Sequence, residues 1–485
     1  MSRRMKVTLL SCATAIALLL GGCAVGAGGA RKASPVGAHQ SLVSLYLSTT
    51  GVSTERIGLT IDGVALLVGD LWIDLQAEPQ RLERREIEGR QLLLGMGAFP
   101  VGECTRIRFN LRDIRIAGAA GADLEDRTLE LPLARPFGLS GSGSTCLFVD
   151  WHLAPPAPGE ARFAPRFTAG AQELPLGEDL VYVVCDDIDT LYMVRADTGF
   201  VVAALGLPGP LGELAVDNGR RRLYVLSSGD RAIHVIGSAN TQYLERIPLS
   251  ITVRPRNLCL SADGATAYVS DAATNRVVKV DLESGLIAAQ ATVGFRPERV
   301  HYFESDGRPW LAVSSPTAQR VYLLNAETLA PPVREIPAGL GADGLLFFND
   351  RIYVAERGGG SVSSFDHRSG RQLSRISVGL EPVYLLGVDN KVYVSNQRDA
   401  ALSVINVGQM STSRSIPVGS PPYVLAASER RRQLFIAHRS DQSLSVLDLS
   451  GERIVGKTML GGTPYSLAIL DWGGALRSQN LQYNR

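Results

Sequence analysis

Methionine and cysteine are scarce, six of each in 485 residues, and long runs of the helix formers Ala, Glu, Lys and Leu are missing. A helical bundle is therefore set aside as the main architecture. The few cysteines form no Cys-x-x-Cys-His run and no zinc-type cluster, and His39, His152, His234, His301, His367 and His438 stand singly. Covalent haem attachment and zinc chemistry are disfavoured on that ground, and no cofactor or metal is expected. Neither charge is in excess. Against 49 basic residues stand 48 acidic ones, a formal net charge of +1, too weak a field to draw the chain to nucleic acid. Asp186, Asp187 and Asp189 lie close together but lack the further carboxylates and glycine of a calcium loop, so they read as a solvated acidic turn.

Glycine is what the chain has in quantity, at 50 residues, and with short apolar runs between turn residues it points to an all-β protein. The length calls for two or three domains.

The first residues are not part of any fold. Arg3, Arg4 and Lys6 precede an apolar run from Val7 to Leu20, of signal-peptide length and too short to span a bilayer comfortably. It ends in Leu20-Gly21-Gly22-Cys23, which resembles the lipobox of bacterial lipoproteins. The resemblance implies removal of residues 1–22 and a diacylglycerol on Cys23. Two or more acyl chains anchor stably, because each buried methylene contributes about 0.8 kcal/mol. Ala24, in place of the Asp that commonly retains such proteins at the inner membrane, implies the outer membrane of a cell envelope. Residues 23–40 have too little apolar bulk to fold and read as a flexible tether, reaching about 20 to 25 Å.

Seven short strands recur in the C-terminal part: Val181-Tyr182-Val183-Val184, Leu223-Tyr224-Val225-Leu226, Ala267-Tyr268-Val269-Ser270, Trp310-Leu311-Ala312-Val313, Ile352-Tyr353-Val354-Ala355, Val392-Tyr393-Val394-Ser395 and Leu434-Phe435-Ile436-Ala437. Their second residues fall at 182, 224, 268, 311, 353, 393 and 435, a spacing of 40 to 44. Each is followed by a second strand such as Ser403-Val404-Ile405-Asn406, a third such as Ser415-Ile416-Pro417-Val418, and a Pro-led segment such as Pro422-Tyr423-Val424-Leu425. Four strands per repeat of this length predict a seven-bladed β-propeller over residues 180–472, since one blade cannot bury both of its faces alone. The first repeat lacks a Pro-led strand and the last ends with one, Pro464 to Leu470, so this strand is expected to pair with Val181 to Cys185 and close the ring. Tyr393-Val394-Ser395-Asn396 is nearly the motif of the YVTN family of propellers, which the repeats resemble. That family implies the fold and says little about activity.

Residues 41–168 alternate between apolar and polar with frequent turns, as a small β-sandwich does. Leu59-Thr60-Ile61-Asp62-Gly63-Val64, Thr105-Arg106-Ile107-Arg108-Phe109 and Leu147-Phe148-Val149-Asp150 resemble a transthyretin-like or carboxypeptidase-regulatory-like domain of uncharacterised bacterial lipoproteins. The resemblance implies no activity. Residues 169–179 are expected to link the two domains, and 473–485 to form a tail. Cys104 and Cys146 each begin a strand and are expected to pair in an oxidising compartment, closing a loop worth about 3 to 4 kcal/mol. Cys185 and Cys259 are expected as buried free thiols.

The residues beside the Pro-led strands approach the central channel in propellers of this type. Here they are Arg254 and Arg256 around Pro255, Arg296, Glu298 and Arg299 around Pro297, and Glu381 before Pro382. Should they converge, the channel mouth would suit a small anionic ligand, since guanidinium forks bind carboxylates and phosphates bidentately; ordinary loop ion pairs are the competing reading. No motif selects a catalytic residue. A binding or scaffolding lipoprotein, engaging an envelope protein or a small anionic ligand, is the first expectation. A propeller enzyme of lactonase or quinoprotein type, with Glu298 or Glu381 as base, is the second.

Overall fold

The computed structural model describes residues 39–470, apart from the short stretches 51–55, 76–77, 118–126, 142, 153–165, 175, 177–178, 239 and 333. The expected export signal, Cys23 with nearly all of the expected tether, and the expected tail lie outside the described residues.

Residues 180–470 form seven four-stranded antiparallel sheets, the blades of a propeller. The inner strands are Leu211–Asp217, Pro255–Leu260, Val300–Ser305, Ala342–Phe348, Pro382–Val388 and Pro422–Ser428 in blades 2 to 7. In blade 1 the inner strand is Pro464–Leu470, which pairs antiparallel with Leu180–Cys185 (Leu180 opposite Leu470, Val183 opposite Leu467) and joins the two ends of the ring. Asp186 and Asp187 serve this closure and Asp189 ties blade 1 to blade 2, so the acidic turn is half-buried and hydrogen-bonded instead of simply solvated. Asp187 accepts hydrogen bonds from the Thr463 amide and hydroxyl, both at 2.7 Å, Asp186 pairs with Arg439 at 3.0 Å, and Asp189 accepts from the Leu211 amide at 3.3 Å.

The second strand of each blade is largely buried, and in the five blades that have a tyrosine there it points at the next blade. Tyr182 donates to the Ser238 carbonyl and Tyr268 to that of Ala326, each at 2.8 Å, so the ring that packs the blades also satisfies its own hydroxyl. The fourth repeat departs from its expected register. Ala312 is opposite Leu323 and Ser315 opposite Arg320, just as Tyr268 is opposite Lys279 and Asp271 opposite Arg276. Ala312, not Leu311, therefore holds the tyrosine position; Leu311 faces back into the core shared with Tyr268. The room left by the small side chain is taken by His367, the first residue after the third strand of blade 5, as Ser238 and Ala326 are in theirs. Its buried ring stands edge-on to Phe303 and Phe347, 5.9 and 5.3 Å between centroids.

The N-terminal strands are β1 (Gln40–Thr50), β2 (Arg56–Val68), β3 (Leu71–Leu75), β4 (Gln80–Glu83), β5 (Leu92–Pro100), β6 (Gly102–Ala117), β7 (Arg127–Leu139), β8 (Ser144–His152) and β9 (Arg166–Ala171). Hydrogen bonding runs through them in the order β3-β2-β6-β7-β9-β8-β1-β5, with β4 beside β2. The halves meet at one bridge, Leu133 with Ala169. They share one core, to which Leu59, Leu66, Ile107 and Phe109 contribute from one half and Val43, Leu45, Leu147 and Trp151 from the other. Strand β9 takes residues 169–171 of the expected linker into this sheet.

The other face of β1 and β8 lies on blade 1, whose remaining strands are β10 (Leu180–Cys185), β11 (Thr190–Arg195) and β12 (Val201–Gly206). Ser44 meets the Tyr192 hydroxyl at 2.9 Å and Ser144 the Thr190 hydroxyl at 2.7 Å. Two glutamines close the outer edge of the blade. Gln91 bonds both the amide (2.8 Å) and the carbonyl (3.0 Å) of Val201, and Gln172 bonds those of Ala204 (2.9 and 3.2 Å). An edge strand covered in this way needs no polar side chains. Val201-Val202-Ala203-Ala204 is accordingly apolar and largely buried, where the outer strand of blade 2, Tyr243–Pro248, is mostly exposed.

Cys104 and Cys146 are not joined; both are free and buried, as are Cys185 and Cys259. The expected bridge fails on direction. Cys104 points into the core of the N-terminal sheet, whereas Cys146, next to the core residue Leu147, points the other way toward Tyr46 and Tyr192.

Candidate functional site

The inner strands all enter the channel at the same end, and most do so through a bulge. Register slips between Pro255 and Asn257, Pro382 and Tyr384, Pro422 and Leu425, Leu211 and Leu214, and Ala342 and Leu345. An extra residue at a strand start re-aims the side chains beside it, so two successive residues per blade reach the mouth. The first set includes Arg256, Glu298, Asp343, Tyr423 and Tyr465; the second includes Glu213, Asn257, Arg299, Tyr384 and Ser466. The next residues inward, Leu214, Leu258, Val300, Leu345, Leu385, Leu425 and Leu467, are all apolar.

Two cavities result. An outer one of about 220 Å³ is lined by Arg256, Glu298, Arg299, Asp343, Tyr423 and Tyr465, with Arg357 at its edge. An inner one of about 120 Å³ has Glu213, Asn257 and Tyr384 above the leucine layer.

Arg299 is the centre of the inner group. It lies 3.2 Å from Glu213 and 3.5 Å from Asp343, and 5.5 Å above the Tyr384 ring. Glu213 also accepts from Asn257 and Ser466, and Asn257 accepts from the Val300 amide at 2.9 Å. Burial pushes the Glu213 carboxyl above its usual range, opposed by the Arg299 guanidinium and the Ser466 hydroxyl. Burial works against the charge on Arg299 too, but Asp343, with Tyr423 and Glu213, holds its proton well above the ordinary value. Tyr384 is pushed up to about 12 by burial and then by Glu213.

The outer group is looser. Arg256 and Glu298 pair at 3.0 Å with side chains 33% and 26% exposed, against 14% and 10% for Arg299 and Glu213. A pair this open contributes about 0 to 1 kcal/mol, so a ligand can take over either partner at small cost. Across the mouth, Tyr423 and Tyr465 lie 5.9 Å apart, with the Arg439 guanidinium 5.2 and 5.4 Å from their centroids.

Of the residues singled out in the sequence, Arg256, Glu298 and Arg299 come together here. Arg254 and Arg296 do not line the cavities; they are exposed on the rim outside. Glu381 is also on the rim, 3.8 Å from Arg357. The mouth is not a bare arginine cluster, because Glu213, Glu298 and Asp343 accompany Arg256 and Arg299. Glu213, Asp343, Tyr384, Tyr423 and Tyr465 were not selected by sequence, although each occupies the register of Arg256 or Arg299 in its own repeat. Aligning the repeats on Leu211 and Ala342, which stand where other blades have proline, would have found the first two.

No protein-family model matches the chain, and no curated protein matches it. Solved structures share the fold. A protein of unknown function from Desulfotomaculum acetoxidans is 14% identical, with a TM-score of 0.54, over 60% of this chain and 99% of its own. Dihydro-heme d1 dehydrogenase NirN is 15% identical over 64% and 77% (TM-score 0.47), and apo AztD from Citrobacter koseri 12% over 61% and 98% (TM-score 0.44). The first of these likenesses, at 14% identity, extends to the fold alone. The chain is an all-β protein with a seven-bladed propeller.

Proposed function

We propose that this is a lipid-anchored cell-envelope binding protein, held through Cys23 at the outer membrane and recognising its ligand at the open end of the propeller channel. The observation that carries the reading is the composition of the mouth. An exchangeable Arg256–Glu298 pair faces Tyr423 and Tyr465 above a locked Arg299–Glu213–Asp343 group. This arrangement fits a small polar ligand, or a partner's side chain, with a flat face for the tyrosines and an anionic or hydrogen-bonding edge for Arg256. The repeats' likeness to YVTN propellers supports the module and leaves the ligand open. Binding is favoured over catalysis because Glu298 and Glu381, the bases an enzyme would use, are each engaged in an ion pair, Glu298 with Arg256 at 3.0 Å and Glu381 with Arg357 at 3.8 Å out on the rim.

The test is native mass spectrometry of the protein purified gently from its own envelope. Bound mass that disappears in Arg256→Ala and in Tyr465→Ala, with folding retained, supports the reading. Bound mass indifferent to both substitutions refutes it.

A further inference from the structure

We propose that the mouth face of the propeller, where the proposed function places its ligand, lies toward a lipid bilayer, seated by a ring of apolar side chains, so that the ligand is met at the membrane surface. Four consecutive blades carry a large apolar residue at one loop position, two residues before the start of the channel-lining segment: Val253, Phe295, Leu340 and Leu380. All are more than half exposed. The corresponding residues of blades 7, 1 and 2 are Ser420, Gly462 and Gly209, so the apolar arc covers just over half of the rim. A single exposed leucine means nothing on a soluble surface. Recurrence at one position through four divergent repeats does, because no core demands it there.

The N-terminal sheet continues the same plane. Gln40 is paired with Pro100 at one end of β1 and β5, and Leu42 with Ser144. Ser144 bonds Thr190, the first residue of β11, which leaves the mouth face. At this end of the sheet Leu71 and Val101 project, both more than half exposed. On the opposite face of the propeller Leu286 and Tyr243 are also exposed, each where an outer strand begins, but they do not recur at one position through successive blades.

The chain's own beginning identifies the occupant. Strand β1 starts at the mouth end, and residues 24–38 separate Cys23 from the first described residue. On the tether expected from its composition, a segment of that length spans roughly 20 Å. With lipid on Cys23, a premise shared with the proposed function, the mouth end is the one nearest the membrane. The apolar tips are spaced around a ring instead of forming the contiguous, well-packed core of a protein interface. Exposed Arg254 and Arg296 stand next to Val253 and Phe295, placed to meet anionic headgroups where the apolar side chains enter the interface; Glu381, at the same position after Leu380, is paired with Arg357 at 3.8 Å.

The test uses the full lipoprotein with Leu340→Cys or Phe295→Cys carrying a polarity-sensitive nitrobenzoxadiazole label, and Leu286→Cys, on the outer strand of blade 3, as control. The native thiols of Cys104, Cys146, Cys185 and Cys259 are buried, and burial pushes each up, so the label goes to the new cysteine. In vesicles of phosphatidylethanolamine with phosphatidylglycerol, emission at 340 and 295 should shift to the blue while that at 286 stays put. An unshifted label at 340 overturns the proposal, and so does a shift that appears only when envelope protein is added, which would make the rim a protein-docking surface. The acyl mass on Cys23, measured on the same samples, judges the anchor separately: a bare Cys23 removes the lipoprotein reading while the labels still decide the rim.

Discussion

Replacing Arg299 with methionine should destabilise the protein far more than an ordinary channel-lining substitution. The side chain is 14% exposed and its partner Glu213 10%, so the variant leaves a carboxylate desolvated without its counter-charge. Breaking a buried pair on one side costs about 3 to 5 kcal/mol. Glu213 keeps Asn257 and Ser466, and Asp343 retains some water, which places the expected loss near 3 kcal/mol. Adding Glu213→Gln to Arg299→Met removes the stranded charge and should restore all but about 1 kcal/mol. The pH dependence has a definite sign. Burial already raises the folded Glu213 carboxyl above an unfolded value of about 4.3, so the folded state binds its proton more firmly than the unfolded state does. Its contribution to stability is fully present below that value and is lost as pH rises through the folded value. Losing Arg299 lifts the folded value further, so the deficit should be largest near neutral pH and shrink on acidification. Urea midpoints of the wild type, both single variants and the double variant, at two pH values, measure all of this. A deficit under about 1 kcal/mol, or a double variant no more stable than Arg299→Met, would refute the reasoning.

Three further outcomes follow from the packing. His367→Ala should cost about 2 to 4 kcal/mol by opening a cavity beside the stacked rings of Phe303 and Phe347, and Ala312→Tyr should recover part of that loss only in this background, being overpacked in the wild type; denaturant midpoints of the four proteins decide. Gln91→Ala with Gln172→Ala should leave the outer edge of blade 1 unpaired, at about 1 to 3 kcal/mol per stranded group, seen as faster hydrogen exchange at Val201 and Ala204 while other blades are unchanged. Ending the chain before Pro464 should open the ring, and near-native exchange protection along Leu180–Cys185 in that truncation would contradict the closure.

The propeller was legible because each repeat writes the same constraint, a strand buried on both sides followed by a turn, and seven copies average out local noise. The fourth copy misled by one residue because Trp310 and Leu311 look more like the motif than Ala312 does; its compensation, His367, is 55 residues away in sequence. Arg256, Glu298 and Arg299 could be found because proline marks their strand starts, whereas Glu213 and Asp343 follow Leu211 and Ala342. The cysteine pairing was misjudged because spacing gives a strand position but not, across a curled sheet, the side to which a thiol points. Gln91 and Gln172 carry no signal in isolation; the uncharacteristically apolar outer strand Val201–Gly206 was the readable sign that something covers blade 1.

The central claim is that recognition takes place at the channel mouth, and photo-crosslinking in intact cells tests it most directly. p-Benzoylphenylalanine is placed at Tyr465, at Tyr423, and at Asn390 in an exposed turn on the opposite face. One common adduct from positions 465 and 423, weakened by Arg256→Ala and absent at 390, is the predicted result. Adducts confined to 390, or equal at all three positions, would contradict the account.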